Sequence, residues 1–423
     1  MSSASELQLD PVRLRELFDL SSSVYASRGG GFDVDIYPIY NAMRDQAPLH
    51  HGEAGELAGF FGDAIFQGLP FRDRSHYTAF DFETCDLIHR DVERFTPQSM
   101  AHETEGLIFE DTMLYMEGEQ HRRYRALVQP SFIPRRARWW IDEWIRATVD
   151  GLLDHLEANG RADLNVEFCA PIPLLTICGS LGVSVADALD IREAVTSDGR
   201  GLGRYFDIVT PVVAARRGAP EDDLISVLVA AEVTEPNGTI HTLSDDEILG
   251  FTYLLLAAGS GTTWKQMGIT FVALLQHPEW LEPTRRDPAA LRGVIEESLR
   301  WMPTDPVFAR FVRHDTTLAG VELEAGSVVH TCLASANRDP RRWERPDEFD
   351  PGRPLQTHLG FGSGPHICRG MHVARAEMTT AVAAVLDRLP NLRLDPDAPA
   401  PRITGMYERG YDAIPVVWGG GRS

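Results

Sequence analysis

A cysteine at the junction between a glycine-rich loop and a helix is the residue of this sequence best suited to chemistry. Cys368 lies in the segment His358–Gly370 (HLGFGSGPHICRG), which leads into the helix-forming run MHVARAEMTTAVAAVLDRL. Gly360, Gly362 and Gly364 allow the loop to fold tightly and its backbone to approach a flat ligand closely. At the start of a helix, the dipole and the free backbone N–H groups favour a thiolate over a thiol. We therefore expect a reactive or metal-binding sulfur at this position.

Three interpretations of Cys368 are open. A thiolate without a cysteine partner, on a loop lined by glycine, is suited to a single axial bond to a haem iron. Alternatively, the residue is a small buried structural side chain, or a nucleophile paired with His366. A nucleophile requires both a general base and an oxyanion site, and the neighbouring sequence does not supply both. The loop therefore favours the bond to haem iron.

The segment FGSGPHICRG resembles the haem-binding loop of the cytochrome P-450 family in its soluble bacterial form. The segment has the spacing of that family at its aromatic residue, its glycines, His366, Cys368 and Gly370. The resemblance implies haem b as cofactor, with Cys368 as the axial ligand and metal-binding residue and with Phe361 packed beside the sulfur. It also places His358 and Gly370 in the cofactor-binding loop.

Basic residues elsewhere are candidates for binding the two carboxylates of a haem. His121 and Arg125 (HRRYR) are one helical turn apart and present two donors on one face, although such a pair is most often an ordinary solvated face. The resemblance matches both to residues that bind a haem propionate, and it does the same for Arg310 and His366. Several donors converging on two carboxylates would be chemically sensible.

Glu297 and Arg300 stand three apart in EESLR and can form an ion pair, although a lone pair of this kind usually contributes little. The resemblance matches them to a Glu-x-x-Arg pair that ties the core on the haem side to Arg353 in FDPGR. The resemblance extends over roughly residues 80 to 418, which is nearly the whole chain.

The best-defined helix is predicted from Ser244 to Gln276, because Ser244 and Glu247 form a capping box before an apolar run. The sequence GSGTT at 259–263 interrupts that run. It indicates either close packing, with threonine hydroxyls bonded to carbonyls one turn earlier, or a polar groove that faces a ligand.

The resemblance implies that Thr262 hydrogen-bonds dioxygen and water, but Gly261 stands where the family usually has an acid. Three explanations are open. Another acid or an ordered water chain replaces the missing acid, with Ser260 as a participant; a polar group of the substrate organises the waters; or the enzyme uses hydrogen peroxide. We favour the first two together.

The pocket is predicted to accept a hydrophobic small molecule such as a terpenoid, steroid, aromatic compound or polyketide, because its candidate residues are mostly apolar. By the resemblance, contacts come from the loop 96–114 and the region 195–215. Further candidates are Leu255, Ala258, Val307, Phe308, Met406 and Tyr407.

The composition limits the partners. A formal net charge of −22 argues against general nucleic-acid binding and against adhesion to an anionic membrane. The N-terminal sequence lacks the pattern of a signal peptide, and the longest apolar stretch is shorter than a membrane span. The five scattered cysteines indicate a reducing compartment, so we expect a cytoplasmic location. We also expect a monomer.

Electrons for the implied reaction, insertion of one oxygen atom of O2 into a C–H bond, are expected from an external ferredoxin or similar donor. A basic face would steer such a donor, and the candidates for it are Arg122, Arg123, Arg135, Arg136, Arg138 and Arg369. The alternative is that these are ordinary solvated helix arginines. Two other functions stay open: a peroxide-driven peroxygenase, and a non-catalytic haem-thiolate sensor or recruitment domain.

The elements that position these residues predict a mainly α protein with small β-sheets, an α+β arrangement. We expect an N-terminal arm and short helix over 1–45 and a single domain over 46–423. Strands are predicted within 307–335 and in the tail YDAIPVVW, and helices at 119–129, 133–159, 163–181, 221–234, 244–276, 290–301 and 369–388. The resemblance implies the cytochrome P-450 fold, with the long central helix crossing the haem.

Overall fold

Helices make up most of the regular structure in the computed structural model, which describes residues 9–20, 23–26, 28–62, 64, 71–97, 112–196 and 201–419. The helices are α1 (Pro11–Leu17), α2 (Ser23–Ala26), α3 (Tyr37–Gln46), α4 (Ala54–Leu57), α5 (Phe82–Arg90), α6 (Gly118–Val128), α7 (Ala137–Trp140), α8 (Arg146–Leu156), α9 (Pro171–Ser180), α10 (Val185–Val195), α11 (Leu202–Gly218), α12 (Leu224–Val229), α13 (Asp245–Gln276), α14 (Leu281–Arg286), α15 (Pro288–Trp301), α16 (Leu333–Ala336) and α17 (Met371–Arg388).

Short strands form small sheets beside the helices. The largest sheet has the order β1-β2-β10-β7-β3, in which β2 and β10 are parallel and the other neighbours are antiparallel. The strands are β1 (Leu49–His51), β2 (His76–Ala79), β3 (Phe95–Thr96), β4 (Arg161–Asp163), β5 (Glu232–Thr234), β6 (Ile240–Thr242), β7 (Val307–Val312), β8 (Thr316–Leu318), β9 (Val321–Leu323), β10 (Val328–Cys332), β11 (Arg393–Leu394), β12 (Ile403–Thr404), β13 (Gly410–Tyr411) and β14 (Pro415–Val417).

The central helix α13 starts and ends as its sequence predicts. The Glu247 backbone N–H donates to Ser244 Oγ at 3.2 Å, and the Ser244 N–H donates to the Glu247 carboxylate at 2.8 Å, which completes the capping box. Its 32 residues extend about 48 Å. The helix is largely buried because it packs against α9, an element that is itself apolar on nearly all sides.

The predicted mainly helical fold with small sheets is confirmed, but several segments differ from the prediction, and two of them show why. The helix predicted over 221–234 is wrong beyond Val229, because β5 pairs with β6 there around a turn in which Gly238 has a φ of +84°. Within 184–215, a segment for which no helix is predicted, α10 and α11 form and pack together. Tertiary packing outweighs the weak local pattern in both segments.

None of the helices in the described ranges is by itself long and apolar enough to cross a membrane. The segments Asn165–Ser180 and Val185–Val195 meet that test together, as a pair bent by 106°.

Candidate functional site

Cys368 lies on an accessible turn shortly before α17. Its backbone N–H donates to the carbonyl of Phe361 at 2.9 Å, which closes the loop. Gly364 has a φ of +69°, and a Cβ at that position would lie 2.2 Å from the carbonyl oxygen of His89. Only glycine fits such a close approach. The loop therefore presents an exposed sulfur on a backbone whose shape is fixed.

Burial governs the electrostatics of Cys368 in the described chain. Desolvation by the surrounding protein raises the pKa of this thiol, although the Gly370 backbone N–H and two arginines lower it. Because α17 begins at Met371, Cys368 lies before its first turn, and lost hydration outweighs the dipole. A metal ion at the sulfur would reverse the balance, since a coordinating thiol is deprotonated.

Four of the predicted cofactor-binding residues form a cluster of nitrogen donors beside this loop. The rings of His121 and His366 stack with their centroids 4.1 Å apart. The Arg125 guanidinium donates to the Ile367 carbonyl. Arg310, in β7, joins the cluster electrostatically, because its charge and that of Arg125 lower the pKa of His366. We call His121, Arg125, Arg310 and His366 the basic cluster.

The electrostatics of the basic cluster favour an anionic ligand. Burial and the neighbouring positive charges lower the pKa of His366 to about 2 and that of His121 to about 4. Burial lowers the pKa of Arg125 and of Arg310 to about 10. His121 Nε2 is buried and has no hydrogen-bond partner in the described part of the chain. A ligand carboxylate would supply the missing negative charge and accept this hydrogen bond.

His358 does not join the basic cluster. Its Nε2 lies 3.3 Å from Glu296 Oε2, and its Nδ1 accepts a hydrogen bond from the Gly360 N–H at 3.1 Å. Glu296 also binds the Arg375 guanidinium, whose carbon lies 4.6 Å from the centre of the Phe361 ring. Both ring nitrogens of His358 are therefore engaged in holding the loop, which leaves neither for a ligand.

Glu297, Arg300 and Arg353 meet as the sequence predicts. Arg300 binds the Glu297 carboxylate with two hydrogen bonds of 2.8 and 2.7 Å, and Arg353 Nε donates to Glu297 Oε1 at 3.0 Å. The Glu297 and Arg300 side chains are only 5% and 3% exposed, so this is a buried network rather than a surface pair. It ties α15 to the segment that precedes the cysteine loop.

The glycine-rich part of α13 has one accessible face. Ala258 is exposed and Thr262 half-buried, in a helix that is otherwise buried at most positions. Thr262 Oγ1 lies 3.4 Å from the Ala258 carbonyl, a long hydrogen bond that leaves the hydroxyl available. Ser260 is buried and donates to the Leu256 carbonyl at 2.7 Å, so its hydroxyl is already used. We call the face around Ala258 and Thr262 the groove.

The comparisons with known proteins cover nearly the whole chain. The sequence model of the family described as Cytochrome P450 matches residues 208–403. The cytochrome P450 monooxygenase PikC of Streptomyces venezuelae is 31% identical over 412 residues, which cover 93% of this chain and 94% of that protein. The chain belongs to the cytochrome P450 family.

Solved P450 structures show the same fold. The P450 PksS of Bacillus subtilis gives a TM-score of 0.80 at 26% identity, over 93% of this chain and 99% of that one. CYP109E1 from Bacillus megaterium, in complex with testosterone, gives 0.77 at 26% identity, over 92% and 100%. The predicted family and fold are therefore confirmed.

The donor set fits the haem-thiolate cofactor that the P450 family implies. An accessible cysteine sulfur suits an axial ligand, and Cys368 is the cysteine that is exposed among Cys85, Cys169, Cys178, Cys332 and Cys368. The basic cluster, with its unpaired His121 Nε2, suits the two carboxylates of an iron porphyrin.

The predicted pocket residues of this P450 differ in accessibility. Ala258 is exposed and Phe308 half-buried, so both can meet a ligand. The others are buried within the protein: Leu255, Val307, Met406 and Tyr407. The expected contacts at 98–111 and 197–200, within the predicted 96–114 and 195–215 regions, lie outside the described residues.

Sequence analysis missed three charged residues near the groove. The structure brings together Lys265 of α13, Asp305 of the loop before β7 and Glu408 of the turn between β12 and β13. One signal was present, because a lysine inside the apolar α13 run requires a buried partner. The partner is distant in sequence, so no spacing rule would have found it.

Proposed function

We propose that this P450 is a haem-thiolate monooxygenase that inserts one oxygen atom of O2 into a C–H bond of a hydrophobic small molecule. The observation that carries the proposal is the juxtaposition of an accessible Cys368 with the basic cluster, in which His121 Nε2 has no hydrogen-bond partner among the described residues. Guanidinium groups partly removed from water beside two stacked imidazoles are unfavourable by themselves, so the cluster is best explained by an anionic ligand. The family is generally one of monooxygenases, which agrees with this assignment.

In this proposal Cys368 would hold the iron of a bound haem through its thiolate sulfur, and the haem would supply the activation of dioxygen. Cys368 is held in place by its backbone hydrogen bond to Phe361. The basic cluster orients the cofactor through its carboxylates. Thr262 faces the groove and can hold a hydrogen bond to a ligand through Oγ1, because its bond to the preceding turn is long.

A hydrophobic substrate is supported by Ala258 and Phe308, which are apolar and are the accessible members of the predicted pocket residues. Two relatives suggest which substrate classes to test first. PksS is described as a P450 of polyketide biosynthesis, and CYP109E1 binds testosterone in its structure. Polyketide-like and steroid-like compounds are therefore the first classes to test, with terpenoids and aromatic compounds next.

We also propose that an external ferredoxin or similar donor delivers electrons to a monomeric cytoplasmic enzyme, at the basic face predicted from sequence. Arg122 and Arg135 are exposed and suited to docking. Other arginines of this face already have carboxylate partners, at distances of 3.3, 3.7 and 2.9 Å: Arg123 with Glu235, Arg136 with Asp222 and Arg138 with Asp142. The exposed pair is therefore the more promising part of this surface.

The proposal is tested by the spectrum of the reduced carbon monoxide complex of the haem-loaded protein. We expect a thiolate-type spectrum in the wild type and its loss in Cys368→Ser. A histidine-type spectrum in the wild type would overturn the assignment. Substrate-induced shifts across a compound library would then show what fills the pocket.

A peroxide-driven peroxygenase is the second candidate function, because Gly261, the residue directly before Thr262, carries no carboxylate. Efficient turnover with hydrogen peroxide and no reductant would assign a peroxygenase. A thiolate-type spectrum without turnover by either route would assign a sensor or recruitment domain.

A further inference from the structure

A cluster of charged residues lies beside the gap that Gly261 leaves in α13. Glu408 forms two ion pairs, one from Oε1 to Lys265 Nζ and one from Oε2 to Arg28 Nη1. The Lys265 and Glu408 side chains are 0% and 2% exposed. Asp305 belongs to the same cluster, because the charges of the other three act on its carboxyl group. Burying charge is unfavourable unless it is paired, so the arrangement of this cluster requires an explanation.

Hydrogen bonds between three segments hold Asp305 and Glu408 close together. The Arg409 N–H donates to the Thr304 carbonyl at 2.6 Å, and Thr304 Oγ1 donates to the Arg409 carbonyl at 2.7 Å. The Thr304 N–H donates to Gln266 Oε1 of α13 at 2.9 Å. Asp305 directly follows Thr304, and Glu408 directly precedes Arg409. The pairing of Thr304 with Arg409 therefore fixes both carboxyl-bearing residues against the central helix.

Gly261 lets the Glu408 carboxylate reach α13. Apart from the helix itself, Glu408 Oε1 at 3.6 Å is the one described atom within 4 Å of a Cβ built at Gly261. A longer side chain at 261 would occupy the space that this carboxylate fills. The chain thus brings an acid from a distant turn to the helical position next to Thr262.

Asp305 is the carboxyl of the cluster that can exchange a proton near neutral pH. Burial and then the Glu408 charge raise its pKa to about 7, while Lys265 and Arg28 oppose this rise. Two adjacent cations instead lower the pKa of Glu408 to about 2, so this carboxylate stays ionised. Asp305 is half-buried rather than enclosed, and its charge raises the pKa of the Cys368 thiol. The charge of Asp305 therefore acts on the cysteine loop.

The titratable groups of this cluster, and those that act on them, come from several segments. They are Lys265 of α13, Glu408 of the turn between β12 and β13, Arg28 and Tyr25 of the N-terminal segment, and Cys368 of the cysteine loop.

Building on the proposed function, we propose that Asp305 is the proton-carrying residue of the groove and that Glu408, clamped by Lys265 and Arg28, is a positioning residue for it. In each exchange the Asp305 carboxyl gives its proton to a hydrogen-bonded acceptor in the groove, and the carboxylate regains a proton from solvent. Only O–H bonds break and form. The arrangement supplies protons beside Thr262 without an acidic residue at position 261.

The proposal is tested by infrared difference spectra of the haem-loaded protein between pH 5 and pH 9. A protonated carboxyl has its own C=O stretching band, and we expect one such band to disappear in Asp305→Asn. Glu377→Gln is the matched control, because Glu377 is another buried carboxyl, with a pKa raised to about 8, on α17. The Asp305 band should persist in that control. An Asp305→Asn spectrum identical to the wild type would overturn the proposal.

The role of Glu408 is tested by the midpoint of the same band. In Glu408→Gln the two cations lose their counter-charge, so the Asp305 midpoint should fall by about one pH unit or more. An unchanged midpoint would overturn the positioning role. If Glu408→Gln does not fold, Glu408→Asp keeps the charge but shortens its reach, and it should move the midpoint less.

Coupling measurements separate this inference from the proposed function. Asp305→Asn should release about tenfold more hydrogen peroxide per NADH consumed, as expected for loss of a proton donor. Its carbon monoxide complex should keep the thiolate-type spectrum. That spectrum together with unchanged coupling would contradict only the role of Asp305, whereas loss of the thiolate spectrum in the wild type would contradict the proposed function itself.

Discussion

The imidazole rings of His121 and His366 stack 4.1 Å apart, with 19° between their planes, inside a cluster of positive charge. Two protonated imidazoles at this distance would repel each other, and Arg125 acts unfavourably on both. The stack is therefore compatible with neutral rings, or with an anion placed beside them. Binding of a carboxylate ligand should change how readily this cluster accepts protons.

We expect His121 to make the haem-free protein sensitive to acid. Its pKa is lowered to about 4 in the folded chain, below the usual value of about 6.5 in the unfolded chain. The unfolded state thus binds the proton first, and stability present above pH 6.5 is lost as the pH falls towards 4. At pH 5 the loss is about 2 kcal/mol.

Chemical unfolding of wild type and His121→Gln at pH 7 and pH 5 checks this expectation. The variant should lose less stability than the wild type on acidification. His155→Gln is the control, since His155 is exposed. Equal pH dependence of wild type and His121→Gln would contradict the prediction, and bound haem should reduce the difference by supplying the anion.

Thr262→Ala should uncouple electron consumption from substrate oxidation. The Thr262 hydroxyl faces the groove, and its hydrogen bond to the Ala258 carbonyl is long, at 3.4 Å, so its removal should leave the fold intact. Hydrogen peroxide released per NADH consumed should rise about tenfold. Thr262→Ser should restore most of the coupling, because it keeps the hydroxyl. Unchanged coupling in Thr262→Ala would show that this residue does not take part in proton delivery.

Short motifs made much of the site predictable from sequence. The Cys368 loop is defined by glycines, one of which has a neighbouring carbonyl too close for any side chain, and Glu297 with Arg300 follows from helical spacing. His358 belongs to the same motif, but local hydrogen bonds engage both of its ring nitrogens. A motif therefore identifies the segment but not the partner of each side chain.

Contacts made by packing were not predictable in this way. Glu408 reaches Gly261 because Thr304 and Arg409 pair across two loops, and no local pattern in the sequence encodes that pairing. Met406 illustrates the same limit, since it was expected to line the pocket and is fully buried. Tertiary structure decides which face of such a loop meets the groove.

Glu297→Gln should strongly destabilise the protein. It removes the counter-charge of Arg300 and Arg353, and the Arg300 side chain is only 3% exposed. Leaving a buried charge unpaired costs about 3–5 kcal/mol. Urea unfolding measures the difference from wild type. Asp142→Asn is the control, because its ion pair with Arg138 is exposed and should contribute about 1 kcal/mol or less. Similar losses in both variants would contradict the buried-network interpretation.

Replacement of exposed arginines that have no ion pair among the described residues should weaken docking of the electron donor without changing the pocket. Arg122→Gln combined with Arg135→Gln removes two positive charges from the proposed face, and both side chains are exposed. Turnover driven by an acidic ferredoxin should slow by about tenfold at low salt, and its salt dependence should become flatter, because steering by charge is lost.

Arg138→Gln is the matched control, since the Asp142 carboxylate 2.9 Å away already offsets its charge. Substrate-induced spectral shifts should stay the same in all three proteins, which separates docking from pocket damage. If the double variant keeps the turnover and salt dependence of the control, these arginines are solvated surface residues and the donor docks elsewhere.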